Sequence, residues 1–183
     1  MCSSDLLVAS LGTIFAEHGA LSAKRDQLWH VDDAAFRTAG LLPDVEAPRR
    51  PHSPMFRYPW ARTVEALQRA PERADGSRRV RYVDPTTGEP AIVTLDCYAW
   101  QLARGRATTT ARSSANAVFA VAEGEGSSRI GDETFHWKKN DVFTVPHWTW
   151  ASHTASAPNT RLFYFTDREV LKRLSFLREE ERG

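Results

Sequence analysis

Two kinds of hydrophobic patterning divide this chain. From residue 80 to 166, short runs rich in β-branched and aromatic residues alternate with turn residues. The runs are 80–83, 91–102, 115–122, 128–130, 134–137, 142–145 and 161–166, and the separators hold Pro85, Gly88, Gly105, Gly124, Gly126, Gly131, Asn140 and Pro158. Many short strands at about ten-residue spacing predict an antiparallel sandwich or barrel. No helical period interrupts the block, which argues against a parallel α/β sheet. Residues 123–126 (EGEG) punctuate two strands as a hairpin would.

The flanks carry a different period. Trp60, Val64 and Leu67 recur at spacings of four and three, one face of a short helix opened by Pro59 and stopped by Pro71. Pro43, Pro48, Pro51 and Pro54 break the preceding stretch into extended pieces. Trp29, Phe36, Leu41 and Leu42 show no clean period, so the first part reads as an arm wrapping a core. At the other end, Val170, Leu171, Leu174 and Leu177 form an apolar stripe, which predicts a helix over 167–182. Thr166 and Glu169 have capping-box spacing, and the run 178–182 (REEER) reads as a solvated face. The expected organisation is residues 1–75 as an irregular arm with a short helix, then 76–183 as an all-β domain with a carboxy-terminal helix.

Composition narrows the function classes. A chain of 183 residues is expected to be one domain, or one with an appendage. With 42% hydrophobic and 26% charged residues it is not a disordered chain. Lys+Arg of 24 against Asp+Glu of 23 leaves +1, no field for nucleic acid or an anionic membrane to follow. No apolar run reaches the length of a spanning helix. Two cysteines, Cys2 and Cys97, imply no disulfide framework and fit a reducing cytoplasm. Residues 6–16 (LLVASLGTIFA) lack the basic flank and cleavage site of a signal peptide and read as a buried or truncated element. The opening MCSSDL reads as a remnant spliced onto a reading frame, which predicts that the natural protein begins upstream.

A small barrel with a central metal needs chelating side chains on adjacent strands, aimed inward; alternation puts both histidines of a His-x-His pair on one face. The cupin pattern does this in two pieces. Gly105, five residues, Ala111-Arg112-Ser113, three residues, Ala117, six residues and Gly124 fit the first piece throughout. Asn140, five residues, Pro146-His147-Trp148, two residues and Ala151 fit the second, with Asn140 standing for its first glycine. The frame persists but the ligands do not: positions for His, His, Glu and His hold Ala111, Ser113, Ala117 and Ala151. A methyl has no lone pair to donate, and a lone serine hydroxyl is a poor ligand for a divalent transition metal. The expected fold is therefore a cupin barrel, a double-stranded β-helix or jelly roll, emptied of its metal.

The wording goes further than the frame. Residues 53–60 (SPMFRYPW), 81–88 (RYVDPTTG), 122–126 (AEGEG), 135–137 (FHW) and 141–148 (DVFTVPHW), with Leu162 and Phe163 leading to Asp167 and Leu174, resemble the second cupin and preceding linker of the gentisate 1,2-dioxygenase family. That family includes salicylate- and hydroxynaphthoate-cleaving relatives, and the resemblance covers residues 45–180. It implies a two-cupin, homo-oligomeric enzyme that opens an aromatic ring at Fe(II) held by three histidines in the first cupin. It implies that residues 1–75 include an inter-cupin linker and that this chain is the non-catalytic second half, binding no cofactor. The implied partners are an upstream cupin half and further copies of the chain. The alternative is a stand-alone, metal-free cupin that binds a small aromatic acid.

His153 lies two residues past Ala151 and shares its strand face. As a pocket residue it would act as acid, base or hydrogen-bond donor; as a structural one it would be satisfied by Ser113, Thr109 or water. Trp148, Trp150 and Thr109 complete the candidate pocket, with Trp137 expected near the same barrel mouth. Arg112, between two inward positions, is expected to point out of the barrel. His136 and His147 read as surface or packing residues, and His18, His30 and His52 fall in the arm.

Overall fold

The computed structural model describes residues 36–42, 53–55 and 57–182. Expectations placed on Cys2, His18, Trp29, His30 and His52, and on residues 6–16 and 43–50, lie outside the described residues. Among the described residues, one α-helix precedes the β-rich block: α1 (Trp60–Arg69). Nine strands follow: β1 (Arg78–Arg81), β2 (Asp96–Gln101), β3 (Thr110–Ser113), β4 (Ala117–Glu123), β5 (Glu125–Ile130), β6 (Glu133–Lys138), β7 (Val142–Val145), β8 (Ala151–Ala155) and β9 (Arg161–Thr166). A short helix α2 (Arg168–Arg173) and a strand β10 (Glu179–Arg182) complete the described chain. The strands form two five-stranded antiparallel sheets, ordered β1-β2-β9-β4-β7 and β10-β3-β8-β5-β6. The all-β jelly roll expected from the strand spacing is present.

Four local expectations are corrected. Residues 123–126 do not close a hairpin: β4 and β5 lie in different sheets, and the chain steps between them at Gly124, whose φ of 82° suits a residue without Cβ. Residues 91–102 are not one strand, because a turn linking Ile92 and Leu95 precedes β2. The terminal helix is six residues long, not sixteen. Ser175 adopts φ 61°, its N–H donating to Lys172 O (3.1 Å) and that of Phe176 to Leu171 O (2.8 Å), the Schellman pattern that ends a helix. Three consecutive glutamates would have faced the negative end of a longer helix; in β10 they face arginines instead. The capping box is also absent, since Glu169 pairs with Arg81 and Arg173. Ser175→Gly removes the Cβ strain of the left-handed position and should raise the unfolding free energy by about 0.5–1 kcal/mol, read from the denaturant midpoint.

The recurring strings turn out to be structural. The Tyr58 hydroxyl meets Val83 O and Ser53 Oγ, each at 2.7 Å, and Ser53 N–H donates to Ala91 O at 2.7 Å. Asp84 Oδ1 accepts from Thr86 N–H (2.8 Å) and Thr86 Oγ1 (2.6 Å), fixing the turn at 84–88. Residues 53–60 and 81–88 thus clasp each other beside the first sheet.

The interior is built on one register row. Tyr98, Tyr164, Phe119 and Phe143 are paired in turn across β2, β9, β4 and β7. Their rings stack at 4.9, 4.7 and 5.0 Å between centroids, and Trp137 of the other sheet continues the stack 6.0 Å from Phe143. Leu102, Val121, Ala155 and Leu162 fill the space beside it. Gly126 lets Trp137 lie flat on β5: a Cβ there would collide with the Thr154 carbonyl oxygen and the indole ring.

Candidate functional site

The four positions of the metal frame gather at one end of the barrel. Ala111 on β3 and Ala151 on β8 are directly paired, so they share a face. That face carries the buried residues of β8: Ala151, His153 and Ala155. Ser113 lies two residues along β3 on the same side, and its Oγ accepts from Ala115 N–H at 3.1 Å. Ala117, in the opposite sheet, pairs with Thr166 and Val145, one inward step from Phe119. The short connections 114–116 and 146–150 bring these strand ends together.

What the gathering offers chemically is three methyls and a hydroxyl already used by the backbone. Iron of the kind the resemblance implies needs imidazole or carboxylate donors. Among the described residues, no three His, Cys, Asp or Glu side chains converge to hold a metal ion. The donor set does not fit the group.

His153, two residues along β8 from Ala151, is a buried titratable group with 4% of its surface exposed. Its Nδ1 lies 2.7 Å from Ser128 Oγ, which accepts from Trp137 Nε1 at 2.8 Å. An indole N–H can only donate, so the buried Ser128 hydroxyl is satisfied by giving its proton to Nδ1. The imidazole is then the neutral Nε2–H tautomer. Its ring rests 5.0 Å from Phe119, 5.7 Å from Phe143 and edge-on to Trp100 at 5.4 Å. Burial among these rings pushes the His153 pKa down to about 4. The expected partners Ser113 and Thr109 are not used; the partner is Ser128, and Thr108 holds the backbone, its Oγ1 accepting from His153 N–H at 3.0 Å.

The remaining candidates do not join His153. Thr109 N–H donates to Asp75 Oδ2 at 3.1 Å. Trp148 and Trp150 lie on the outer face, where the Arg112 guanidinium sits 4.3 and 4.5 Å from their ring centroids. Arg112 points outward as the strand alternation predicts, whereas Trp137 is buried in the core, apart from the other two. Trp148 occupies a left-handed position, φ 54°, at the place of a frame glycine, and its N–H donates to Ser113 O at 2.7 Å. His136 is exposed, and His147 Nδ1 meets Ser114 O.

Sequence reasoning missed the ionic group beside Ala117. Asp96, fully buried, lies in the row Asp96–Thr166–Ala117–Val145. Its Oδ1 accepts from Arg81 Nε at 2.7 Å, and Arg81 also reaches buried Glu169 at 3.2 Å. Asp96 Oδ2 has no hydrogen bond and lies 3.8 Å from Arg168. The sequences of β1 (RRVR) and β2 (DCYAWQ) carry no alternation that would have marked it. The arrangement lines this row with paired charges.

Known proteins are similar to this chain over most of its length. Gentisate 1,2 dioxygenase 1 of Aquipseudomonas alcaligenes is 34% identical over 178 residues, 94% of this chain and 51% of its own length. The chain is homologous to the gentisate and salicylate 1,2-dioxygenases. A 1-hydroxy-2-naphthoate 1,2-dioxygenase of Nocardioides sp. (strain KP7) is 30% identical over 181 residues, 95% of this chain and 46% of its own. The crystal structure of salicylate 1,2-dioxygenase from Pseudoaminobacter salicylatoxidans with gentisate superposes with a TM-score of 0.77 at 31% identity, covering 82% of this chain and 43% of that one. No family model matches the chain. The jelly roll is thus a cupin barrel, and the chain spans about half the length of the curated gentisate-type relatives it matches. Among the described residues no helix is long and apolar enough to cross a membrane.

Proposed function

We propose that this chain is the carboxy-terminal cupin half of a gentisate- or salicylate-type ring-cleaving dioxygenase, structural and oligomerising, binding no metal of its own. The observation that carries the reading is the non-chelating set at Ala111, Ser113, Ala117 and Ala151 within a barrel that matches half of such enzymes. In this reading Fe(II) and the ring-opening chemistry belong to an upstream cupin. The present barrel supplies a rigid body: an aromatic interior, a neutral buried imidazole and a charge-paired end.

The test is metal content and turnover. The chain is equilibrated with Fe(II), desalted and analysed for iron, then mixed with gentisate while the absorbance of ring-opened product is followed. The expected result is far less than one iron per chain and no product. One tightly held iron per chain, with turnover that survives stripping and reloading, overturns the proposal. The genomic sequence upstream of Met1 gives an independent check: an in-frame barrel carrying a His-x-His pair is expected there.

A further inference from the structure

The sheet edge formed by β3 is occupied by β10, which among the described residues pairs with no other strand. All four residues of β10 are exposed, so docking it buries no core. Each has a specific partner nonetheless. Glu179 takes two bonds from Arg168 at 2.9 Å each, and Glu180 takes bonds of 2.9 and 2.6 Å from Arg112. Glu181 lies 3.9 Å from Arg73, and the Arg182 guanidinium stacks 3.8 Å from the Trp150 ring centroid. Backbone pairing on an open edge, with side chains read one by one, is how sheet edges capture extended peptides.

The connection between α2 and β10 is short and strained. It holds Ser175 in the left-handed region and presents two large apolar side chains to water, Leu174 at 57% and Phe176 at 65% exposure. The strand is held by its backbone ladder on β3, by these ion pairs and by the bonds of Ser114 with Arg178 and Phe176, all of them contacts to groups on or beside the β3 edge that a second copy presents equally. A short hinge under strain favours exchange of the element beyond it between copies, where every docking contact is remade and the hinge can extend.

We propose that β10 is an exchangeable strand: the β3 edge of one copy, with Arg73, Arg112, Arg168 and Trp150, receives residues 179–182 of a second copy. The occupant is fixed by charge and register, since a Glu-Glu-Glu-Arg strand meets arginines at its three acidic positions and an indole at its basic one. In the exchanged pair Leu174 and Phe176 lie at the crossing of the two chains, where each copy covers the other's. This inference does not depend on the catalytic assignment.

Disulfide trapping in the full chain tests it. Ala111 and Glu181 are register partners, at a separation a disulfide can span. Ala111→Cys and Glu181→Cys are made separately in a Cys2→Ser background and carried on chains with tags of different size. Cys97 stays, because burial pushes its thiol up to about 11 and keeps it unreactive. The two variants are mixed, oxidised mildly and resolved without reductant. The expected result is a heterodimeric band several-fold above the homodimers of either variant alone. Its rate should rise as salt goes from about 0.05 to 0.5 M, because screening loosens the ion pairs that hold the strand in place. The double variant Ala111→Cys/Glu181→Cys verifies the register. Closure of the double variant within one chain, with no heterodimer in the mixture, overturns the proposal. So does failure of the double variant to close, or homodimers as abundant as heterodimers.

Discussion

Phe119→Ala is expected to lower the unfolding free energy by about 3–5 kcal/mol, the range for deleting a buried aromatic ring. Phe119 is the centre of the stacked row: its ring touches Tyr164 at 4.7 Å, Phe143 at 5.0 Å and His153 at 5.0 Å. Removing it forfeits the transfer free energy of the ring and three ring contacts, and leaves a cavity between two sheets that β pairing holds apart. Against a total of about 5–15 kcal/mol for a domain, that is a large share. Phe119→Leu keeps most of the volume and should cost about 1–2 kcal/mol. Equilibrium denaturation reads both. A loss below about 1 kcal/mol for the alanine variant contradicts a core centred on this row.

His153→Phe is expected to reverse its effect with pH. In the folded chain the imidazole resists protonation down to about 4, whereas in the unfolded chain it takes a proton near 6.5. The folded-state value is the lower one, so between those limits the unfolded state binds more protons and stability falls as pH falls. The contribution is whole above about pH 6.5 and lost by pH 4, worth roughly 3 kcal/mol in total for a shift of this size. Phenylalanine does not titrate. At pH 7.5 the variant should be less stable by about 1–3 kcal/mol, because the Ser128 hydroxyl loses its acceptor. At pH 4.5 the gap should close or invert. Stability curves of the two proteins that run parallel from pH 7.5 to 4.5 contradict the neutral, buried imidazole.

The strands that could be read from the sequence are those whose inward residues are large. Phe119 and Val121 on β4, Phe143 and Val145 on β7, and Leu162 and Tyr164 on β9 alternate with outward residues and announce themselves. Among the strand runs, β8 was silent because its inward residues are Ala151, His153 and Ala155, two methyls and a polar ring. The four-residue β3 was silent for the same reason. In β10 every side chain is polar, and what makes it a strand is the register on β3 together with arginines far away in the chain. Helical periodicity among Val170, Leu171, Leu174 and Leu177 ran on past the true helix end, because a serine in the left-handed position leaves no local mark.

The spacing of glycines and frame positions was legible, and the residues it marked, Ala111, Ser113, Ala117 and Ala151, lie on β3, β4 and β8. The partners of the buried polar groups were not. Ser128 meets His153 from twenty-five residues away, and Arg81 meets Glu169 from eighty-eight. Such pairs are decided by which strands become neighbours, and single-sequence patterning does not encode that. Trp148 and Trp150 were misplaced for a related reason: the turn at 146–150 twists them onto Arg112 outside the barrel.

The contact of Gly126 with Trp137 makes one position of the barrel wall intolerant of change. Gly126 tolerates no addition, because any heavier side chain would push the Thr154 backbone and the indole apart. A side chain at this one position would therefore be felt in both sheets, because the displaced indole rests on Phe143 of the other.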